Sequence, residues 1–288
     1  MRAAARAPPP MKKILPPLLV SAALACAVLL SRSAGPSRES LMPMSRAVAD
    51  HEKAVDRAAA VAFPVSADEE RRVGAAMDAQ ARALYPAPTG ADALARASRW
   101  RALGEQAQAS PLVTRFRGRY EFRSARSSQI NAFALPGGYV YAFDPLIKRL
   151  DGDDDALFFV VAHEIGHVEL GHCADAFRLR PDGKNPLRDL AGGVLSIARV
   201  LPAMQFSSNQ ELEADAYAVR LMRSLGRDPK AALRAYDKLA MGAGEDKSTK
   251  RDPGRLLGEA VGGFFRTHPG GWERRAALER DAAAASGR

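Results

Sequence analysis

The sequence His-Glu-Ile-Gly-His at residues 163–167 constrains this chain more than any other feature. It lies inside a run of apolar and helix-forming residues, 156–170, that predicts a helix. Residues four apart share one face of a helix, so His163 and His167 can offer two imidazoles to one metal ion. Glu164 would lie beside that metal, where it can take a proton from an attacking water. This combination is typical of zinc hydrolases.

A zinc site needs a third protein ligand, and the sequence offers two candidates. His172 is the nearer one, but Gly171 predicts that the zinc helix ends before it. Glu211 is the better candidate, because it begins a second predicted helix and would leave a fourth position for water. Asp215 shares a face with Glu211 and could accept the second N–H of a zinc-bound histidine. The alternative is an acidic first turn that only favours the helix dipole.

Two further segments accompany these motifs. They are the stretch at 131–140, Asn-Ala-Phe-Ala-Leu-Pro-Gly-Gly-Tyr-Val, and Thr-His-Pro at 267–269, with Arg274 six residues after His268. With the two zinc-ligand segments, they resemble in content and order the zinc metallopeptidase family of CAAX prenyl endopeptidase, HtpX, BepA and LoiP. The resemblance covers about residues 110–280.

This resemblance implies a mostly helical α+β fold, namely a zincin-like metallopeptidase domain with a small β-sheet beside the active-site helix. It implies one Zn²⁺ per chain, bound by His163, His167 and Glu211, with Glu164 as the general base and Asp215 in support of His163. The resemblance places two more catalytic residues at the site, His268 and Arg274.

Residues 131–143 predict strand structure, because they are rich in Phe, Tyr and Val. The Pro-Gly-Gly at 136–138 would mark an edge, a bulge or a close backbone approach. An edge strand can bind an extended peptide through backbone hydrogen bonds, and the resemblance places this strand along the active site. The residues assigned to this substrate strand are Asn131, Phe133, Gly137 and Gly138. The alternative is an ordinary hairpin turn at Pro-Gly-Gly.

Residues 1–33 predict a signal peptide or an N-terminal membrane anchor, because basic residues precede an apolar run, 14–30. Cleavage before Ala34 or retention as a single anchor is favoured. Lipidation at Cys26, in a sequence that resembles a lipobox, is the third alternative. Each predicts export to the periplasm or cell envelope, and two of them predict membrane association. The predicted divisions are 1–33, a linker and peripheral helix at 34–66, and the zinc metallopeptidase domain at 67–288.

The net charge argues against a nucleic-acid partner. The chain has 42 basic and 33 acidic residues, a net charge of +9. Residues 1–33 contain five basic and no acidic side chains, so the rest has 37 basic and 33 acidic residues, or +4. Such a balance is not that of a nucleic-acid-binding protein. The alternation of arginine with aromatic residues at 115–123 is interpreted as one solvated face of a strand.

The pattern of the remaining chain predicts the other elements. Helices are expected at 67–84, 91–108, 229–241, 256–265 and 272–285, with a short helix at 144–150 and strands at 112–143. Residues 187–206 predict either a core helix or a lid over the cleft.

The predicted function is zinc-dependent peptide hydrolysis in the bacterial cell envelope, with unfolded or misassembled proteins as substrates. The partner is therefore a protein or peptide. The alternative is a non-catalytic envelope assembly factor or chaperone of the same fold, in which zinc is structural. Glu164 argues against that alternative, because a structural zinc site needs no general base.

Overall fold

The computed structural model describes residues 65–175, 206–240, 264, 268 and 272–284. The helices are α1 (Ala67–Leu84), α2 (Ala91–Gln108), α3 (Asp144–Arg149), α4 (Asp154–Glu169), α5 (His172–Asp175), α6 (Ser208–Ser224), α7 (Ala231–Ala240) and α8 (Trp272–Ala283). The strands are β1 (Glu121–Ala125), β2 (Ala132–Leu135) and β3 (Tyr139–Phe143).

Helix α4 is the centre of the fold. Every residue from Ala156 to Val168 is buried, because this helix is apolar on nearly all sides. It packs against α2, α6, α7 and β2. The Asp153 side chain caps its first turn by accepting from the backbone N–H of Ala156. Gly171 has a positive φ of 82° two residues after the last helical residue, so the chain turns away there.

A close contact between small residues brings α6 against α4. A Cβ atom added to Gly166 would lie 3.2 Å from the carbonyl oxygen of Ala214 and 3.2 Å from the ring of Tyr217. Glycine therefore lets the two backbones approach on the same face of α4 that carries the motif histidines. Helix α6 begins at a capping box, in which Ser207 and Gln210 bind each other's backbone N–H groups. Glu211 consequently lies in its first turn, facing α4.

The sheet has the order β1-β3-β2, with β1 parallel and β2 antiparallel to β3. β2 is an edge strand and packs on α4. The Pro-Gly-Gly at 136–138 lies in the hairpin turn between β2 and β3, as the alternative interpretation predicts, and not within one continuous strand. Gly137 has a positive φ of 77°, and Arg71 of α1 donates to its carbonyl oxygen at 2.5 Å.

The mostly helical α+β fold with a small sheet beside the zinc helix is confirmed. Helices α1 and α2 have the predicted bounds. The expectation of strand structure from residue 112 was wrong, since the first strand begins at Glu121 and residues before it form turns. The interpretation of 115–123 as one face of a strand was also wrong, because the strand in this stretch begins only at Glu121. The solvated side is partly right: Arg117 and Arg119 are exposed, whereas Arg115 pairs with buried Glu70.

Several predictions lie outside the described residues: the segment 1–64 with Cys26, most of 187–206 and most of 256–265. Among the helices that the structure does describe, none combines the length and apolarity needed to cross a bilayer.

Exchange of Gly74 for alanine tests the docking of α1 on the hairpin. In an ordinary helix this change stabilises by about 0.5–1 kcal/mol. Here the new Cβ would lie 1.8 Å from the carbonyl oxygen of Pro136, so we expect Gly74→Ala to lower the free energy of unfolding by about 1–3 kcal/mol in urea titrations. The matched control is Ala75→Gly on the exposed face, which should cost about 0.5–1 kcal/mol. A more stable Gly74→Ala protein would contradict this packing.

Candidate metal centre

Four buried side chains direct donor atoms towards one point. On α4, His163 and His167 lie one turn apart, and their Nε2 atoms are 3.0 Å from each other. Glu211 of α6 lies opposite, with Oε1 3.3 Å from Nε2 of His167 and Oε2 3.5 Å from Nε2 of His163. Nδ1 of His268 is 3.2 Å from Nε2 of His163 and 3.1 Å from Oε1 of Glu211. All four residues have no solvent exposure.

The spacing of these atoms fits a zinc ion. For ligands about 2.0–2.1 Å from zinc, the corners of a tetrahedron are about 3.3 Å apart. The donor separations given above range from 3.0 to 3.5 Å, and all four donor atoms lie within 4.8 Å of one another. Three imidazoles and a carboxylate are also ligands that suit zinc. The site can therefore bind a metal ion, and zinc matches its donors.

The second nitrogen of each imidazole has a partner. Nδ1 of His163 lies 2.9 Å from Oδ1 of Asp215. Nδ1 of His167 lies 3.0 Å from Nδ1 of His172. Nε2 of His268 lies 3.3 Å from the carbonyl oxygen of Ala132 on β2. An N–H directed at an outer acceptor leaves the lone pair of the inner nitrogen free for a metal.

Glu164 lies beside this donor set and is fully buried. Neither of its carboxylate oxygens makes a hydrogen bond within the described part of the chain, although Nε2 of His268 approaches Oε1 to 3.3 Å. Burial raises the pKa of Glu164, and the charges of His268 and His163 offset only part of that effect. A buried carboxylate with unused acceptors and a raised pKa suits a group that takes up and releases a proton.

Arg274 of α8 holds the two carboxylates of α6. Its Nε and Nη2 donate to the two oxygens of Asp215, each at 2.8 Å, and Nη1 lies 2.5 Å from Oε2 of Glu211. Nη1 also donates to the carbonyl oxygen of His268 at 3.3 Å. The prediction placed Arg274 at the site as a catalytic residue; the structure directs its guanidinium at the ligand and its neighbours. These contacts are those of a residue that orders the site.

The charges of these groups explain their ionisation. Burial acts to raise the pKa of Glu211, but the charges of His268 and Arg274 outweigh it and hold that pKa well below its usual range. The pKa of Asp215 is lowered in the same way, chiefly by Arg274 against the effect of burial. In the absence of a metal these carboxylates therefore face positive charge from the imidazoles and from Arg274. A bound metal requires neutral imidazoles, and a divalent cation would then replace the positive charge that they lose.

Two aromatic residues that the sequence reasoning missed fix the planes of the imidazoles. Phe206 stacks on His167, with ring centroids 3.7 Å apart and planes 15° apart. Phe264 stacks on His268 at 4.3 Å and 15°. Their places in the sequence could have indicated them. Phe206 directly precedes the N-cap of the helix that carries Glu211, and Phe264 lies four residues before His268.

The residues predicted for the substrate strand do not all face the centre. The carbonyl oxygen of Asn131 accepts from the N–H of Phe143 on β3, and Phe133 stacks on Tyr141 in a separate core cluster. Backbone groups alternate along an antiparallel strand, so those of Ala132 and Ala134 point to the free edge. Nε2 of His268 and Sγ of Cys173 lie beside their carbonyl oxygens. Gly137 and Gly138 form the hairpin turn.

Comparison with known families agrees with this geometry. The model of peptidase family M48 matches residues 97–180 and 187–282, which is more than half of the chain. The chain belongs to peptidase family M48. This confirms the predicted family, and M48 membership places the chain among the metallopeptidases, as the motif at 163–167 indicates.

Curated relatives are similar over part of their length. The metalloprotease LoiP of Escherichia coli is 31% identical over 126 residues, which cover 40% of this chain and 49% of LoiP. The mitochondrial metalloendopeptidase OMA1 of Arabidopsis thaliana is 30% identical over 50% of this chain and 28% of its own. The beta-barrel assembly-enhancing protease of Yersinia pestis is 32% identical over 42% and 28%. The chain thus matches half or less of the length of these relatives.

Removal of the carboxylate beside His163 tests the role of Asp215. Because Asp215 lies 2.9 Å from Nδ1 of His163, we expect Asp215→Ala to weaken zinc binding about 10–100-fold in competition with a chromophoric chelator. Asp215→Asn keeps an oxygen that can accept from the imidazole and should lose less. The exposed pair partner of Arg275, Asp237, provides the control variant Asp237→Ala. Unchanged affinity in Asp215→Ala would mean that Asp215 serves only its ion pair with Arg274.

Proposed function

We propose that this protein is a zinc-dependent endopeptidase, with zinc held by His163, His167 and Glu211. The observation that carries the proposal is the buried Glu164, whose carboxylate has unused acceptors beside a donor set that fits zinc. A structural zinc site would need no such group. This favours hydrolysis over the alternative, a non-catalytic envelope assembly factor or chaperone of the same fold.

The residues around the site fit peptide hydrolysis. Zinc bound at this donor set would polarise the scissile carbonyl as a Lewis acid. Glu164 takes the proton of the attacking water and returns it to the departing amine, for which its two carboxylate oxygens are available. An extended substrate would pair with the outer edge of β2 at Ala132 and Ala134. It would have to displace His268 and Cys173, which lie against their carbonyl oxygens. Such binding depends little on side chains, as suits an enzyme that cleaves unfolded or misassembled proteins.

The proposed location is the bacterial cell envelope. It rests on the basic and apolar segment 1–33, which is typical of export signals, and on the name of one relative, the beta-barrel assembly-enhancing protease. Export leaves the N-terminus cleaved, retained as an anchor or lipidated at Cys26. Mass spectrometry of the N-terminus of protein from an envelope fraction distinguishes these three forms, and recovery of the whole chain in the cytoplasmic fraction would contradict the proposal.

Exchange of the general base tests the reaction. We expect Glu164→Gln to cleave casein about 10²–10⁴-fold more slowly than the wild type, because the amide cannot accept the proton. Zinc content, measured by metal analysis of both proteins, should be equal. The control is Glu105→Gln, at an exposed position of α2, which should cleave at the wild-type rate. Full activity in Glu164→Gln would end this mechanism.

His268 lies between the metal donors, the general base and strand β2. Its Nδ1 lies among the donor atoms, 3.1 Å from Glu211, and its Nε2 lies 3.3 Å from both Glu164 and the Ala132 carbonyl. An imidazole bound as fourth ligand would exclude water and keep the protease latent. The alternative is that His268 donates a hydrogen bond to the tetrahedral oxyanion, which requires the side chain to stand beside the metal and not on it. The donor geometry supports the latch.

The direction in which His268→Ala changes the rate of casein cleavage separates these two roles. We expect His268→Ala to raise basal casein cleavage, by about tenfold if about one wild-type molecule in ten is open. Zinc should remain bound through the other three ligands. The double variant with Glu164→Gln should be inactive, which shows that the added cleavage comes from this site. A slower His268→Ala enzyme would assign the residue to the transition state.

A further inference from the structure

His172 contacts the zinc helix on the side away from the donor set. It follows Gly171, whose positive φ of 82° turns the chain back towards α4. Its Nδ1 lies 3.0 Å from Nδ1 of His167, and Nε2 is the nitrogen that His167 directs at His163. His172 is 4% exposed. It is therefore placed to act on a ligand and not to be one.

The two rings can share only one proton arrangement when His167 binds a metal. Nε2 of His167 must offer its lone pair, so the proton of this ring is on Nδ1. Nδ1 of His172 must then accept that proton in a hydrogen bond. The proton of neutral His172 is left on its Nε2, which lies 3.4 Å from Oε2 of Glu213 on α6. The direction of both contacts follows from the metal-binding tautomer.

Stacking alone cannot orient His167. Phe206 covers the face of the ring, which fixes its plane. A half-turn about the Cβ–Cγ bond keeps that plane but exchanges the nitrogens with ring carbons. The hydrogen bond to His172 distinguishes the two orientations, because only one of them directs Nδ1 at the acceptor. The same contact therefore places Nε2 among the metal donors.

We propose that His172, oriented by Glu213, is a positioning residue that fixes the tautomer and orientation of His167. It does for this ligand what Asp215 does for His163, with a neutral imidazole in place of a carboxylate. The inference rests on the proposed zinc site. The proposal gives a role to His172, which on sequence grounds was only a candidate metal ligand.

A matched pair of variants at position 172 tests the acceptor. His172→Asn keeps an oxygen near the position of Nδ1, whereas His172→Phe keeps an aromatic ring and removes the acceptor. We expect the phenylalanine variant to bind zinc about 10–100-fold more weakly in chelator competition, and the asparagine variant to recover most of that loss. Unfolding of the metal-free variants, followed by circular dichroism, reports packing separately. A purely structural role would lower that stability in both variants and would not separate their zinc affinities.

Glu213 supplies a second test that leaves the ring of His172 in place. Its side chain is 31% exposed, so replacement should not disturb the core. We expect Glu213→Leu to weaken zinc binding about 2–10-fold, and Glu213→Gln, which still accepts a hydrogen bond, to stay near the wild type.

Two results would overturn the inference: wild-type zinc affinity in His172→Phe, or an equal loss in His172→Asn and His172→Phe. If His172→Phe does not fold, wild-type affinity in Glu213→Leu overturns it instead. The proposed function fails differently, through a wild-type protein that binds no zinc or a Glu164→Gln protein that still cleaves casein.

Discussion

The contact between α4 and α6 at Gly166 and Ala214 is the constraint on which the site depends. The motif histidines share one face of α4 because of helical periodicity, but a third donor must come from another element. A side chain at 166 would meet the Ala214 backbone within 3.2 Å and separate the helices. The glycine thus holds Glu211 within 3.5 Å of both histidines, which is the separation that a shared metal needs.

This close approach also gathers buried charge, which must be balanced. Glu211 and Asp215 both face α4 without solvent, and Arg274 reaches both from α8. Removal of one partner would leave the other charges buried and uncompensated, a loss of about 3–5 kcal/mol. The last helix therefore contributes to the metal centre through electrostatics. Its role explains why a residue so far along the chain belongs to the site, although its guanidinium points at carboxylates.

The sequence predicts well what local periodicity determines and less well what packing determines. The bounds of α1 and α2, the shared face of His163 and His167, and the turn after α4 all follow from spacing and end signals. The orientation of β2 does not follow from the sequence. The register with β3 decides which of its residues direct their backbone groups to the outer edge, and either choice would bury apolar side chains. The partner of His167 was likewise hidden, since the turn that returns His172 to α4 depends on the left-handed conformation of Gly171.

His268 contacts the three parts of the site that the proposed reaction needs: the metal donors, the general base and the substrate strand. Its ring lies against the donor set, the Glu164 carboxylate and the Ala132 carbonyl oxygen. A substrate peptide paired with β2 would compete for that carbonyl oxygen, and water would compete for the metal. If the peptide displaces the ring, the metal position becomes open to water. If water displaces it, the Ala132 carbonyl oxygen becomes open to the peptide. In the proposed reaction, substrate binding and release of the metal position would therefore be coupled, because each removes a contact that holds His268 in place.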